Sequence, residues 1–320
     1  MIKSILYPKG VPQLLPIAAV GATLLLGGRA LALTITPTFT ANFNANFGAN
    51  AAAAQNAWIA AAGVFQNNFS DNIHVNLTVD AVAGTWVFGQ SLTFLNSSGY
   101  ANFRNLMVAD AKTVNDNIAV GVGGSIAGAD PTGGAGTWWV SRAQAKAIGL
   151  IADDLNNDGT TTFGAGNPFT FSGPIGAGTY DFRGVAAHEI SEVLGRLGIS
   201  GGTIGSNPNS YSLIDLFSYS GPGARVLTKG PNSNFSINHG TSLIKLYNDA
   251  SANGLDSRDW APGSSDSFNQ FSSPDVVNPV TGVDLQEMDV IGYDLVPEPT
   301  AGALLLFGLG AVAFMRRRCP

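Results

Sequence analysis

From residue 72 to 82 the chain alternates strictly. Ile73, Val75, Leu77 and Val79 fall on one side, and His74, Asn76, Thr78 and Asp80 on the other. A period of two predicts a half-buried strand with His74 on its solvent side. Residues 50–69 carry Trp58, Ile59, Ala62, Val64 and Phe65 at helical spacing behind Asn50, a suitable N-cap. Residues 100–114, with Leu106 and Met107, predict another helix. Residues 137–150 predict a short strand running into a helix capped by Ser141. The stretch 34–49, rich in Thr, Asn, Ala and Phe, reads as an extended leader, and the glycine-rich 121–136 as loops. From 198 to 294 the pattern predicts mostly loop with short elements. Helices and strands interspersed in this way, with no internal repeat, predict an α+β domain.

One predicted helix, 183–197, carries more than packing. Wound at about 100° per residue, Ala186, Ala187, Ile190, Val193, Leu194 and Leu197 share one arc, and His188, Glu189, Glu192, Gly195 and Arg196 the opposite one. His188 and Glu192 lie four residues apart and therefore one turn above each other. Two such side chains can grip one metal ion, with Glu189 beside them where it can act on a water. The competing reading is a surface helix in which Glu192 and Arg196 form an ordinary i,i+4 ion pair.

Composition sharpens this. Charged residues are only 12% of the 320, about half the usual fraction of roughly 25%, yet five ionisable residues cluster on that helix. The formal charge is −6, so the basic footprint of a nucleic-acid binder is missing. A single Cys, Cys319, excludes a disulfide scaffold and a cysteine zinc site. At the N-terminus, Lys3 and Lys9 precede the apolar run LLPIAAVGATLLLGG and the small-x-small triplet Ala30-Leu31-Ala32. This predicts a secretory signal over residues 1–32, removed by signal peptidase. At the other end, Val-Pro-Glu-Pro is followed by TAGALLLFGLGAVAFM and by Arg316, Arg317 and Arg318. A short apolar helix closed by cations predicts a membrane segment whose end stays cytoplasmic. Between these ends, residues 33–295 hold 10 basic and 21 acidic residues.

The C-terminal arrangement, residues 296–320, resembles the PEP-CTERM sorting signal of Gram-negative bacteria. The resemblance implies export, transient membrane anchoring, processing by an exosortase-type enzyme and delivery to the cell surface or an exopolysaccharide matrix. The helix segment HEISEVLGR resembles the active-site helix of zincin metallopeptidases, particularly metalloprotease-like proteins that carry PEP-CTERM tails. IDLFSYSGPGAR and DLQEMDVIGYDL resemble segments that follow that helix in such proteins. The implied fold is zincin-like, a mixed sheet packed with an active-site helix and a loop-rich C-terminal part. Position 192 holds Glu where the commoner pattern has a second His, and position 198 holds Gly where a metzincin has its third ligand.

What the resemblance implies is a zinc metalloendopeptidase acting on protein or peptide substrates, with Glu189 as general base and zinc on His188 and Glu192. A third ligand is needed. Asp215 is the first choice, at a separation found for downstream carboxylate ligands in zincins. His239, in the turn Asn-His-Gly, is the runner-up. Tyr219 is a candidate donor to a developing oxyanion. Asp154, Asn156 and Asp158 begin a calcium-loop pattern, but its twelfth position is Ala165 rather than Glu, so this is a candidate only for weak calcium binding. The alternative function is a catalytically inactive zincin scaffold used for adhesion or binding at the surface.

Overall fold

The computed structural model describes residues 33–254 and 256–297. The expected secretory signal and the tail beyond residue 297 lie outside the described residues. Strand β1 (Thr34–Phe39) opens the body, followed by helices α1 (Ala41–Phe47) and α2 (Ala51–Asn68) and strand β2 (His74–Val82). Strands β3 (Gly89–Thr93) and β4 (Leu95–Ser98) lead to helices α3 (Tyr100–Asp110) and α4 (Val114–Val120). Then come β5 (Thr137–Ser141), α5 (Arg142–Ala147), β6 (Asn157–Gly164) and the short pair β7 (Phe169–Thr170) and β8 (Tyr180–Asp181). The next helix, α6 (Phe182–Val193), carries the predicted chemistry.

The first sheet runs β1-β2-β6-β3. Its first three strands are parallel, and β3 is an antiparallel edge. On β2 the predicted alternation holds, with Val75, Leu77, Val79 and Ala81 buried. His74 is exposed, and its Nδ1 lies 2.7 Å from an oxygen of Asp153. Helices α2 and α6 pack together on one face of this sheet. Trp58 of α2 donates to Thr161 of β6 at 3.1 Å, and Phe182 of α6 meets Phe163 of the same strand. The chain leaves β3 through Phe94 directly into β4, which belongs to a second sheet, β4-β5-β10-β9, with β9 spanning Gly202–Ile204 and β10 Asn207–Ser212.

Two expectations need correction. The stretch 34–49 is not an extended leader. Residues 34–39 pair with β2 in parallel register, and Thr40 then caps α1 by accepting from the Phe43 amide at 3.0 Å. Phe43 and Phe47, one turn apart, bury that helix in a sequence whose other members are small and polar. Nor is 100–114 one helix. It stops at Asp110, and Thr113 starts a fresh one through a reciprocal capping box with Asp116. The Ser141 cap is borne out, its hydroxyl accepting from the Gln144 amide.

Beyond α6 the elements are short. Strands β11 (Ser218–Gly221), β12 (Ala224–Arg225), β13 (Asn234–Phe235) and β14 (Lys245–Leu246) form a small antiparallel sheet. A closing helix, α7 (Gly282–Val290), is started by the capping box of Thr281 and Asp284. The end of the body is stitched back to the end of α2: Ser70 donates to the Asp294 carbonyl and Val296 to that of Asn68, both at 2.8 Å. The described part is therefore mixed α+β, as the pattern predicts. No helix among the described residues is long and apolar enough to cross a membrane.

Candidate metal centre

Helix α6 begins at Asp181, whose carboxylate accepts from the Arg183 amide at 3.1 Å. It ends after Val193, where Gly195 adopts φ +122°, a backbone conformation that L side chains rarely take up. One face supplies Ile190, Val193 and Leu194 to the core. The opposite face does not meet solvent, as a surface helix would. Glu189, Glu192 and Arg196 are buried at 6%, 7% and 1% exposure, beneath edge strand β3 and the segment around Asp259.

His188 is fixed from behind. Its Nδ1 lies 2.9 Å from the Ser267 carbonyl, which assigns the proton to Nδ1 and leaves Nε2 free to ligate. Nε2 stands 3.4 Å from Glu192 Oε1 and 3.7 Å from Asp259 Oδ1. Donors on a tetrahedral ion at 2.0–2.2 Å are roughly 3.4 Å apart, so the three are spaced as a ligand set. They form the group of ionisable side chains among the described residues able to hold a metal, with all ligand atoms within 4.8 Å.

Each carboxylate has a second support. Glu192 Oε2 accepts from Ser91 Oγ of β3 at 2.6 Å. Asp259 is paired with Arg196, and its carbonyl accepts from the Asn248 amide at 2.7 Å. The next residue, Trp260, stacks on Tyr247 and donates to Asp284 at 2.6 Å. Arg196 lies over the Phe268 ring at 4.4 Å and donates to Ser191 at 2.8 Å. It thus holds a carboxylate from each side of the cluster. Burial penalises a charged imidazole, but Asp259 and Glu192 outweigh it and push His188 up to about 10. Burial also opposes the Glu192 anion, yet the hydrogen bond and charge of His188, with Arg196, bring it down to about 2. Without a metal, an imidazolium therefore sits between two carboxylates, and a dication would take the proton's place.

Glu189 occupies a different position. Its carboxyl lies against β3 at Gly89, where an added Cβ would stand 2.2 Å from Oε1. Burial first, then the negative charge of Glu192, raises Glu189 well above the usual carboxylate range. It lines the same cleft as the three ligand candidates, an opening of about 440 Å³ bounded by Phe88, Ser91, Val185, Asp256 and Phe271.

The other sequence candidates lie elsewhere. Asp215 is fully buried and is consumed by structure. It accepts from the Ser200 and Ser212 amides, each at 2.9 Å, and from Arg258 Nε at 2.9 Å. It is a capping and ion-pairing residue, and the acid that stands beside His188 and Glu192 is Asp259. His239 sits in a turn at φ +56° against the Tyr219 ring, lining a separate cavity with Arg104. Tyr219 is buried between His239 and Arg225 and does not line the cleft. In the calcium-like stretch, Lys146 Nζ lies 2.8 Å from Asp158 and 3.0 Å from the Asp154 carbonyl, and Arg142 pairs with both carboxylates. Two side-chain cations fill the space a calcium would need. Asp259, Ser91 and Gly89 had no motif to announce them. The one hint was an Arg-Asp-Trp run in a chain poor in charge.

No curated protein and no solved structure matches the chain. Residues 295–318 match the PEP-CTERM protein-sorting motif, which implies an exported protein, sorted through its C-terminus toward the cell surface and processed by an exosortase-type enzyme.

Proposed function

We propose that this exported protein is a zinc-dependent peptidase with a zincin-like body. The observation that carries the reading is the convergence of His188, Glu192 and Asp259 at ligand spacing, with the carboxyl of Glu189 beside them in an open cleft. A bound zinc would supply Lewis acidity for a peptide carbonyl and for water. The chain supplies the rest. Ser91, Ser267 and Arg196 orient the three ligands. Strand β3, an edge that pairs on one side with β6 and lies along the cleft, offers its unpaired side to an extended peptide. Glu189 takes a proton from the attacking water and returns it to the leaving amine.

Metal analysis of the exported protein, together with turnover of a broad peptide library by wild type and Glu189→Gln, tests the reading. The expected result is near-stoichiometric zinc in both and cleavage by wild type alone. Zinc-loaded wild type that cleaves no peptide would instead favour the inactive binding scaffold.

A further inference from the structure

The cleft does not end at the ligand cluster. A second recess, about 240 Å³, shares Ser91, Glu192, Leu197, Asp256 and Asp259 with it and continues along β3 between Leu92, Leu95, Ile199 and Ile204. Asp256 lines both, at the point where they join. It is exposed and, among the described residues, forms no ion pair, whereas every other charge at the junction is committed. Arg196 is bound to Asp259 and Glu192, and Arg258 is held by Asp215. Both arginines are 1% exposed. The groove thus presents aliphatic walls with one uncommitted carboxylate at their head. That combination fits a long apolar stem ending in a cation.

We propose that Asp256 is a specificity residue selecting substrates with a lysine or arginine side chain beside the bond to be cut. The inference rests on the peptidase reading of the same cleft. A carboxylate in a groove is screened less than one on an open surface, so the preference should exceed that of an exposed ion pair. The expected discrimination is about tenfold.

The test uses the exported protein loaded with zinc and peptides identical except for Lys, norleucine or Glu at each position flanking the scissile bond. Wild type should favour Lys over norleucine about tenfold in kcat/KM. Asp256→Asn should lose that preference, and Asp256→Arg should shift it toward Glu. Zinc affinity and urea midpoint should stay at wild-type values in Asp256→Asn, which separates selection from ligation or folding. Anisotropy of the same labelled peptides on Glu189→Gln protein, with and without Asp256→Asn, gives a reading that needs no turnover. Asp256-dependent binding of the Lys peptide without cleavage by wild type would sustain the selection and defeat the peptidase. A Lys preference that survives in Asp256→Asn, or binding and cleavage indifferent to position 256, overturns the proposal.

Discussion

Replacing Gly89 with Ala probes the placement of Glu189 without touching any ionisable group. Gly89 lies in β3 and its φ is not positive, so backbone conformation does not require glycine there. The space does. The new Cβ would stand 2.2 Å from Glu189 Oε1 and 2.9 Å from Cδ, where ordinary contact begins at 3.4 Å. The carboxyl must retreat by about 1 Å. It is the far end of a flexible side chain, so the crowding is relieved cheaply, and Ala in a strand recovers about 0.5–1 kcal/mol of backbone entropy relative to Gly. Net stability should move by no more than about 1 kcal/mol. Catalysis is far less tolerant, since a displacement of about 1 Å in a reacting group can cost 10²-fold. Gly89→Ala should therefore bind zinc and unfold in urea like wild type while turnover of the best library peptide falls by roughly 10²-fold, matching Glu189→Gln. Wild-type turnover in a folded, zinc-loaded Gly89→Ala protein would show that Glu189 does not act from where it sits.

Other consequences can be checked as directly. Asp259→Asn should weaken zinc by more than the ~10–100-fold typical of outer-shell losses. Asp215→Asn should leave zinc affinity of the folded protein nearly intact but destabilise it by about 3–5 kcal/mol, because Arg258 is left buried and unpaired; isothermal titration and urea melts distinguish the two. Lys146→Met, which strips Asp158 of a buried partner, should cost a similar amount, and wild-type melting should be insensitive to about 1 mM calcium. Burial raises Asp71 and Asp110 to about 7 and Glu287 to about 8. Acids raised on folding keep their proton longer in the native state than in the unfolded one. Each contributes its full stability below pH about 4, then loses about 1.4 kcal/mol per pH unit until the folded value is passed. In chelator, the urea midpoint should be higher at pH 5 than at pH 8, and an unchanged or rising midpoint would contradict the burial of these groups.

What could be read from the residues was whatever repeats at a fixed local period. The alternation of β2 and the His188–Glu192 spacing are each set within one element and appear as predicted; α6 forms as well but stops at Val193, so Leu197, expected on its apolar arc, lines the cleft with His188 and Glu192 instead. Strand β1 was hidden because its neighbours are Thr, Asn and Ala, and only pairing with β2 fixes it. Asp215 and Asp259 are both acids downstream of the helix, and nothing local separates them. The difference lies in their cations. Arg258 turns toward Asp215, while Arg196, next to Gly195 where α6 turns off, reaches Asp259. Adjacent residues 258 and 259 thus belong to different ion pairs, which no linear pattern encodes. The partners of the calcium-like stretch were hidden for a related reason, since its cations, Arg142 and Lys146, come from α5, which packs beside it in space.

The cluster draws on β3, on α6 and on a segment 71 residues beyond His188, and this has a bearing on timing. Before the chain has folded through residue 259, only His188 and Glu192 can meet an ion, as two donors on one turn of helix. A pair of donors holds a metal weakly and a triad holds it well. Metal capture by the proposed site would therefore be coupled to completion of the tertiary structure. A chain crossing a membrane unfolded would carry no assembled centre, and whatever chemistry the site performs would begin only where folding ends.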